Sequence, residues 1–206
     1  MTLPIESSSG KQKPVMNVSL EDGSLVSGPL RSIKGHCLFV QVGSNGKVPT
    51  IGRLHRVECF NHSEFDNFKV GDIITAKVLK KQEEHGRTWI ELSRRKQHMS
   101  ANKLDKDLLN LLGFETMKEG QVVEGIVTET VEAKANFVAS SPINVQVSAF
   151  IRAQLLFSDV LSVDDLASAS GSVPQLLAKK YKVNQKISLT FQDGKFKPTD
   201  CIKNTF

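Results

Sequence analysis

The stretch "NFKVGDIITAKVLKKQEEHGRTWIELSRRK", residues 67–96, alternates apolar and polar residues on both sides of a charged turn. Period two is the spacing of a half-buried strand, so these residues form a hairpin with one face on a core. The alternation restarts at "MKEGQVVEGIVTETV", residues 117–131, which reads as the opening strand of a similar unit. A chain of 206 residues has room for two cores of about a hundred residues each, so the restart predicts two copies of one small β unit.

The remaining strands follow the same signal. "SLVSGPL", "CLFVQV" and "VPTIGRLH" alternate, and Asn45-Gly46 favours the positive φ angles of a tight hairpin. "ECFNHSEFDNF" breaks the alternation and is expected to be a loop with one helical turn. "DIITAKVLK" and "TWIELS" complete five short strands, the layout of a small closed barrel of the OB type. In "SANKLDKDLLNLLGF" the period changes. Leu104, Leu108 and Leu111/Leu112 take helical spacing, with Ser100 as expected N-cap and Gly113 as expected C-cap. Beyond it come "GQVVEGIV", "ANFVASS" and "NVQVSAFI", then a long insert (156–181) with Ser162 capping "VDDLA" and "VPQLLAKKY" helical, then "NQKISLTFQ" and "FKPTDCI". The expected fold is all-β: two tandem five-stranded OB-type barrels joined by a short α-helix, the second with a longer helical insert. The expected boundaries are a flexible arm at 1–14, a first barrel at 15–97, a helical linker at 98–116 and a second barrel at 117–206.

Charge separates the halves. Through Lys103 there are 16 Lys+Arg against 10 Asp+Glu, and thereafter 11 against 12; all five histidines lie in the first half. The first unit therefore suits a polyanion and the second does not. Three scattered cysteines without a CxxC pair fit a reducing, intracellular setting. The opening "MTLPIESSSGKQKP" lacks the apolar segment of a secretory signal, and no apolar run approaches the ~20 residues of a membrane span, so no membrane partner is expected.

Alternation also picks out an exposed chemistry. With Leu38, Val40 and Val42 inward, Phe39 and Gln41 point out; with Thr88, Ile90 and Leu92 inward, Arg87 and Trp89 point out. Outward aromatics beside cations suit stacking on single-stranded bases. The alternatives are that Phe39 packs under a loop or neighbouring domain and that Trp89 anchors the joining helix. His55, Cys59 and His62 form an H-x3-C-x2-H spacing, but a structural zinc site needs a fourth ligand and only distant Cys37 is at hand, so no metal and no cofactor are expected. No nucleophile–base–acid set stands out, and the chain is read as a non-enzyme.

Residues 15–97 resemble the S1-type RNA-binding domain, with its landmarks in order. They are "GSLVSGPL", "FVQV", Gly52, Leu54, His55 and Glu58 of the third-strand motif, "FKVGDIITAKV", and Gly86-Arg87 with "IELS". The second copy is similar through "EGQVVEGIV", "NFVASS" and "YKVNQKISLTF". Divergent tandem repeats with helical joins look most like the family of the eukaryotic rRNA-processing protein five and programmed cell death protein eleven. That resemblance implies single-stranded pre-rRNA on the first barrel and a role in ribosome biogenesis. It also implies other assembly proteins as partners of the second barrel and a nuclear, nucleolar location. The competing readings are a purely structural protein-interaction segment of a large assembly factor and a translation-associated ribosomal S1-type protein. The family's RNA contacts fall on His36, Phe39, His55, Glu84 and Arg87, with Trp89 in or beside the arginine's register; Lys34, Lys47, Arg53 and Lys80 add expected phosphate contacts. His36 stands for an aromatic, Cys37 for a glycine and Val57 for the motif serine. In the second copy Phe137 keeps the outward slot, whereas Lys134, Ala135, Arg152 and Lys195 replace the rest.

Overall fold

Five alternating segments close on themselves because a strand with one apolar face must bury it and a small sheet leaves no partner but itself. A computed structural model describes residues 20–45, 48–84, 87–102, 104, 113–130, 143–161, 167 and 172–201. Strands β1 (Leu25–Lys34), β2 (Cys37–Asn45), β3 (Val48–His55), β4 (Ile73–Glu84) and β5 (Arg87–Ser93) form a closed barrel in the order β1-β2-β3-β5-β4. β1 pairs with β4 on one side, and a parallel β3/β5 ladder, Gly52↔Ile90 to Leu54↔Leu92, completes the circuit. This is the connectivity of an OB-type barrel. Its core holds Val26, Leu30, Leu38, Val40, Leu54, Ile74, Val78, Ile90 and Leu92, the inward set of the alternation. Phe65, from the one-turn helix His62–Asn67, plugs the barrel, and Asn61 Oδ1 caps that helix by accepting from Glu64 N at 2.8 Å.

The second unit repeats the order. β6 (Val122–Glu129), β7 (Ile143–Gln146), β8 (Arg152–Leu155), β9 (Lys186–Gln192) and β10 (Lys195–Pro198) run β10-β9-β6-β7-β8. That is the same cyclic order, with β8 and β10 as the two edges of a barrel-like sheet. The insert supplies the helices Phe157–Val160 and Val173–Lys180, the latter opened by Ser172 N donating to Gln175 Oε1. Leu155 and Val160 belong to the core and Phe157 and Leu161 pack on it, while Leu156 is exposed. The expected strand at 135–141 and the Ser162 cap lie outside the described residues.

Equivalent bonds at equivalent positions show the two units to be copies of one plan. Gly23 and Gly120 both take positive φ, and their amides donate to Val78 O and Phe191 O respectively. The turns "KVGD" and "KVNQ" match bond for bond. Gly71 N and Asn184 N, both at positive φ, donate to Leu30 O and Val127 O. The Asp72 and Gln185 side chains then accept from Lys69 N and Lys182 N at 2.8 Å each.

The joint differs from expectation at its start. A short helix, Lys96–Ser100, begins immediately after the first barrel, and Ser100 is its last residue rather than an N-cap, its hydroxyl donating back to Lys96 O. Leu104 is buried near Gly23, and Lys77 Nζ donates to Ala101 O, so the joint leaves along the first barrel. The helix expected through Leu108 and Leu112 lies outside the described residues. Gly113 opens a single 3-10 turn, Phe114–Thr116, whose Phe114 ring rests on Phe191 and Phe196 of the second unit. No helix among the described residues is long and apolar enough to cross a membrane.

Candidate nucleic-acid interface

Ladder register places the outward residues of the first barrel in rows. One row runs Ser32, Phe39, Arg53, Glu91, Lys80, each opposite the next. On the next pleat Gln41 stands opposite Ile51 and Trp89 opposite Gln82, with Arg31 Nε donating to Gln41 Oε1 at 2.8 Å. Phe39 is half-buried and Trp89 is 36% exposed, and neither meets another ring among the described residues. The face thus carries Phe39 beside Arg53, with Trp89 one pleat away; Thr88, expected inward, is exposed next to it on β5.

Arg53 is less free than its sequence position suggests. Its Nε and Nη2 hold both oxygens of Glu91, at 3.1 and 2.5 Å, and Glu91 is 1% exposed. Burial pushes the Glu91 carboxyl up while Arg53 pulls it back down; burial likewise works against the guanidinium charge, and Glu91 more than restores it. The guanidinium is thereby oriented by a fork of hydrogen bonds. Cys37, beside this pair, is pushed up chiefly by burial and is a poor nucleophile.

Both histidines leave the face. His36 lies against the second unit, its Nε2 3.3 Å from Thr128 O, with its ring 6.2 Å from that of His55. His55 is buried, and its Nδ1 accepts from Val57 N at 3.3 Å, fixing the turn Arg56–Glu58. Burial, then the fields of His36, Arg53, Arg56 and Arg95, lower its pKa to about 3. The folded protein thus refuses a proton that the unfolded chain accepts near pH 6.5. Stability from this group is complete above that value and is lost as pH falls towards 3, at up to about 1.4 kcal/mol per pH unit. Denaturation midpoints measured between pH 7 and 4 are expected to fall accordingly, and His55→Asn, which keeps an acceptor for Val57 N, is expected to flatten the profile.

Lys34 and Lys80 are exposed near the two edges of the face. Glu84 and Arg87 pair across the β4/β5 hairpin; their side chains, and Lys47, lie outside the described residues. In the second unit Arg152 is bound to Glu129 at 3.1 Å and Lys195 to Asp159 at 3.5 Å, while Lys134, Ala135 and Phe137 lie outside the described residues.

What alternation did not disclose is a buried carboxylate between the units. Glu58, 1% exposed, accepts from Ser93 Oγ (2.9 Å), Arg95 Nε (3.0 Å) and, across the interface, Ala149 N (3.1 Å). Arg95 Nη2 completes the bridge by donating to Val147 O at 3.0 Å. Arg56 and Arg94 are likewise held, by Asp66 and Glu64. Four arginines of the first half are thereby committed to structure, each with an acid of its own, so the cationic excess is left to the other side chains. Among the described residues no cluster of His, Cys, Asp and Glu is arranged to hold a metal ion.

Tandem OB-type barrels are the class of structure this defines. No family model matches the chain, and no curated protein matches it. Among solved structures it is similar to the solution structure of GSP13 from Bacillus subtilis, at 27% identity over 41% of this chain and 63% of that one, with a TM-score of 0.32. A second is the a/eIF2alpha-aDim2p-rRNA complex from Pyrococcus horikoshii OT3, at 20% identity over 44% and 52%, TM-score 0.29. A third, a multidomain protein with nucleic acid binding domains from Streptococcus pneumoniae TIGR4, is 12% identical over 86% and 45%, TM-score 0.24. The chain spans 45% to 63% of the length of these structures.

Proposed function

We propose that the chain is a non-enzymatic RNA-binding segment whose first barrel carries single-stranded RNA across β2, β3 and β5. The observation that carries this reading is the row Phe39–Arg53 with Trp89 one pleat away: ring surfaces and an oriented guanidinium on one uncovered sheet face. Bases stack on such rings with little regard to sequence, and phosphates take the cations. The S1-type landmarks supply the wider setting, in which the chain serves ribosome biogenesis in the nucleolus, with pre-rRNA on the first barrel and assembly proteins on the near-neutral second one. A purely structural role is the competing reading, favoured by the bridge at Glu58 and by His36 being turned to the second unit.

Titration of a labelled oligouridylate into the whole chain separates the two. Phe39→Ala and Trp89→Ala are each expected to weaken binding by ~1–3 kcal/mol per base unstacked. An affinity unmoved by both substitutions overturns the proposal.

A further inference from the structure

Between the units lies a cleft of about 270 Å³, walled by Val57, Phe60 and Asn61 of the first barrel, Arg95 and Lys96 after it, and β6 with Lys186 of the second. That is near the lower limit of small-ligand sites, ~300 Å³, and is enough for one planar ring. Phe60 is 55% exposed at its rim and meets no other ring among the described residues. Its backbone is fixed, since its amide donates to Glu64 Oε2 at 2.8 Å. Asn61 beside it accepts at Oδ1 from Glu64 N and Ser63 Oγ, so its amide nitrogen takes part in neither bond.

Three cations border the cleft against one acid, Glu124, which holds Lys186 at 2.6 Å. Lys96 is exposed, and Arg95 is spent on Glu58 and Val147 O. The walls cannot drift apart without breaking that bridge. We infer that this cleft is a second seat for single-stranded RNA, with a base stacked on Phe60 and the adjoining phosphate at Lys96. The inference rests on the RNA-binding reading and extends it to a site made by both barrels, away from the Phe39–Arg53 row. A peptide would need more apolar wall than the cleft offers: Val57 and Ile126 are buried, which leaves Phe60 as the large exposed apolar side chain.

The test uses the whole chain and a 5-iodouridine-substituted oligouridylate long enough to pass both seats, about 16 nucleotides or more. Phe60→Ala is expected to weaken binding roughly 5- to 150-fold, Phe60→Trp to restore it, and photocrosslinking to mark the peptide containing Phe60. Phe60 is exposed, so thermal unfolding of the alanine variant should match that of the parent. If Phe39→Ala and Trp89→Ala weaken binding while Phe60→Ala does not, and no crosslink falls on the Phe60 peptide, the second seat is wrong and the first stands. If Phe60→Ala alone weakens binding, the cleft stands and the reading of the sheet face fails. An RNA that does not bind the parent chain at all overturns both.

Discussion

Glu58→Ala is expected to lower stability by about 3–5 kcal/mol, read as a fall in the denaturant midpoint. The cost arises because one small deletion leaves several groups without a partner. Ser93 Oγ, Arg95 Nε and Ala149 N all donate to this carboxylate, and Arg95 is only partly exposed to solvent that might replace it. Removing one member of a buried ion pair is costlier than the pair's net contribution, since the survivor stays charged and unmatched. Glu58→Gln should fall between the alanine variant and the parent, keeping an acceptor while discarding the charge. A second consequence separates this residue from an ordinary core position. Because Ala149 and Val147 belong to the second unit, the alanine variant should also free the barrels from one another, visible as a larger radius of gyration in solution scattering. An unchanged midpoint and radius would show that the bridge holds nothing together.

Gly28→Ala is the other large effect, at about 3 kcal/mol or more, expressed as loss of soluble protein or of a cooperative transition. A methyl at this position would overlap the carbonyl oxygen of Gln41 and sit 2.8 Å from its carbon, where β1 crosses β2. Backbone cannot rotate aside as a side chain can, so the strands must separate, and overpacking of a tight interior is costly. Gly125, its counterpart in the second unit, offers an internal control. There the nearest atom is the side-chain methyl Val145 Cγ1 at 2.6 Å, with the Gln146 oxygen at 3.1 Å. Gly125→Ala is therefore expected to cost distinctly less. Equal effects at the two positions would contradict this account of the crossing.

The fold was legible because burial enforces period two. A slip of one residue in "TAKVLK" or "TWIELS" would expose every inward side chain, so alternation alone identifies Ile74, Ala76, Val78, Ile90 and Leu92. Positions fixed by three-dimensional neighbours were less legible. Register sets Phe39 opposite Arg53 with Trp89 one pleat away, while the side chain of Arg87, the cation alternation paired with Trp89, lies outside the described residues; His36 is turned to the second unit and His55 is buried. Nothing local in "HRVEC" distinguishes a histidine bound to RNA from one capping a turn beneath a neighbouring domain. Glu91 was hidden for a related reason. An acid between Ile90 and Leu92 reads as a solvated residue until the parallel β3/β5 ladder sets it opposite Arg53. Net charge does not say which cations are free: Arg53, Arg56, Arg94 and Arg95 are each held by a carboxylate that the sum already counts, so the excess lies with other residues. The available signal was the interleaving of acids at 58, 64, 66 and 91 with those arginines, which only topology resolves into pairs.

Trp89 is the single tryptophan of the chain and stands on the proposed platform, so its own emission reports on the central claim. Titrating an oligouridylate at low and at moderate salt should quench that emission saturably. The affinity should fall with a log–log slope of about −0.7 per phosphate neutralised. Emission that stays constant while the RNA demonstrably binds, or an absence of binding at low salt, would contradict a ring-bearing RNA surface on the first barrel.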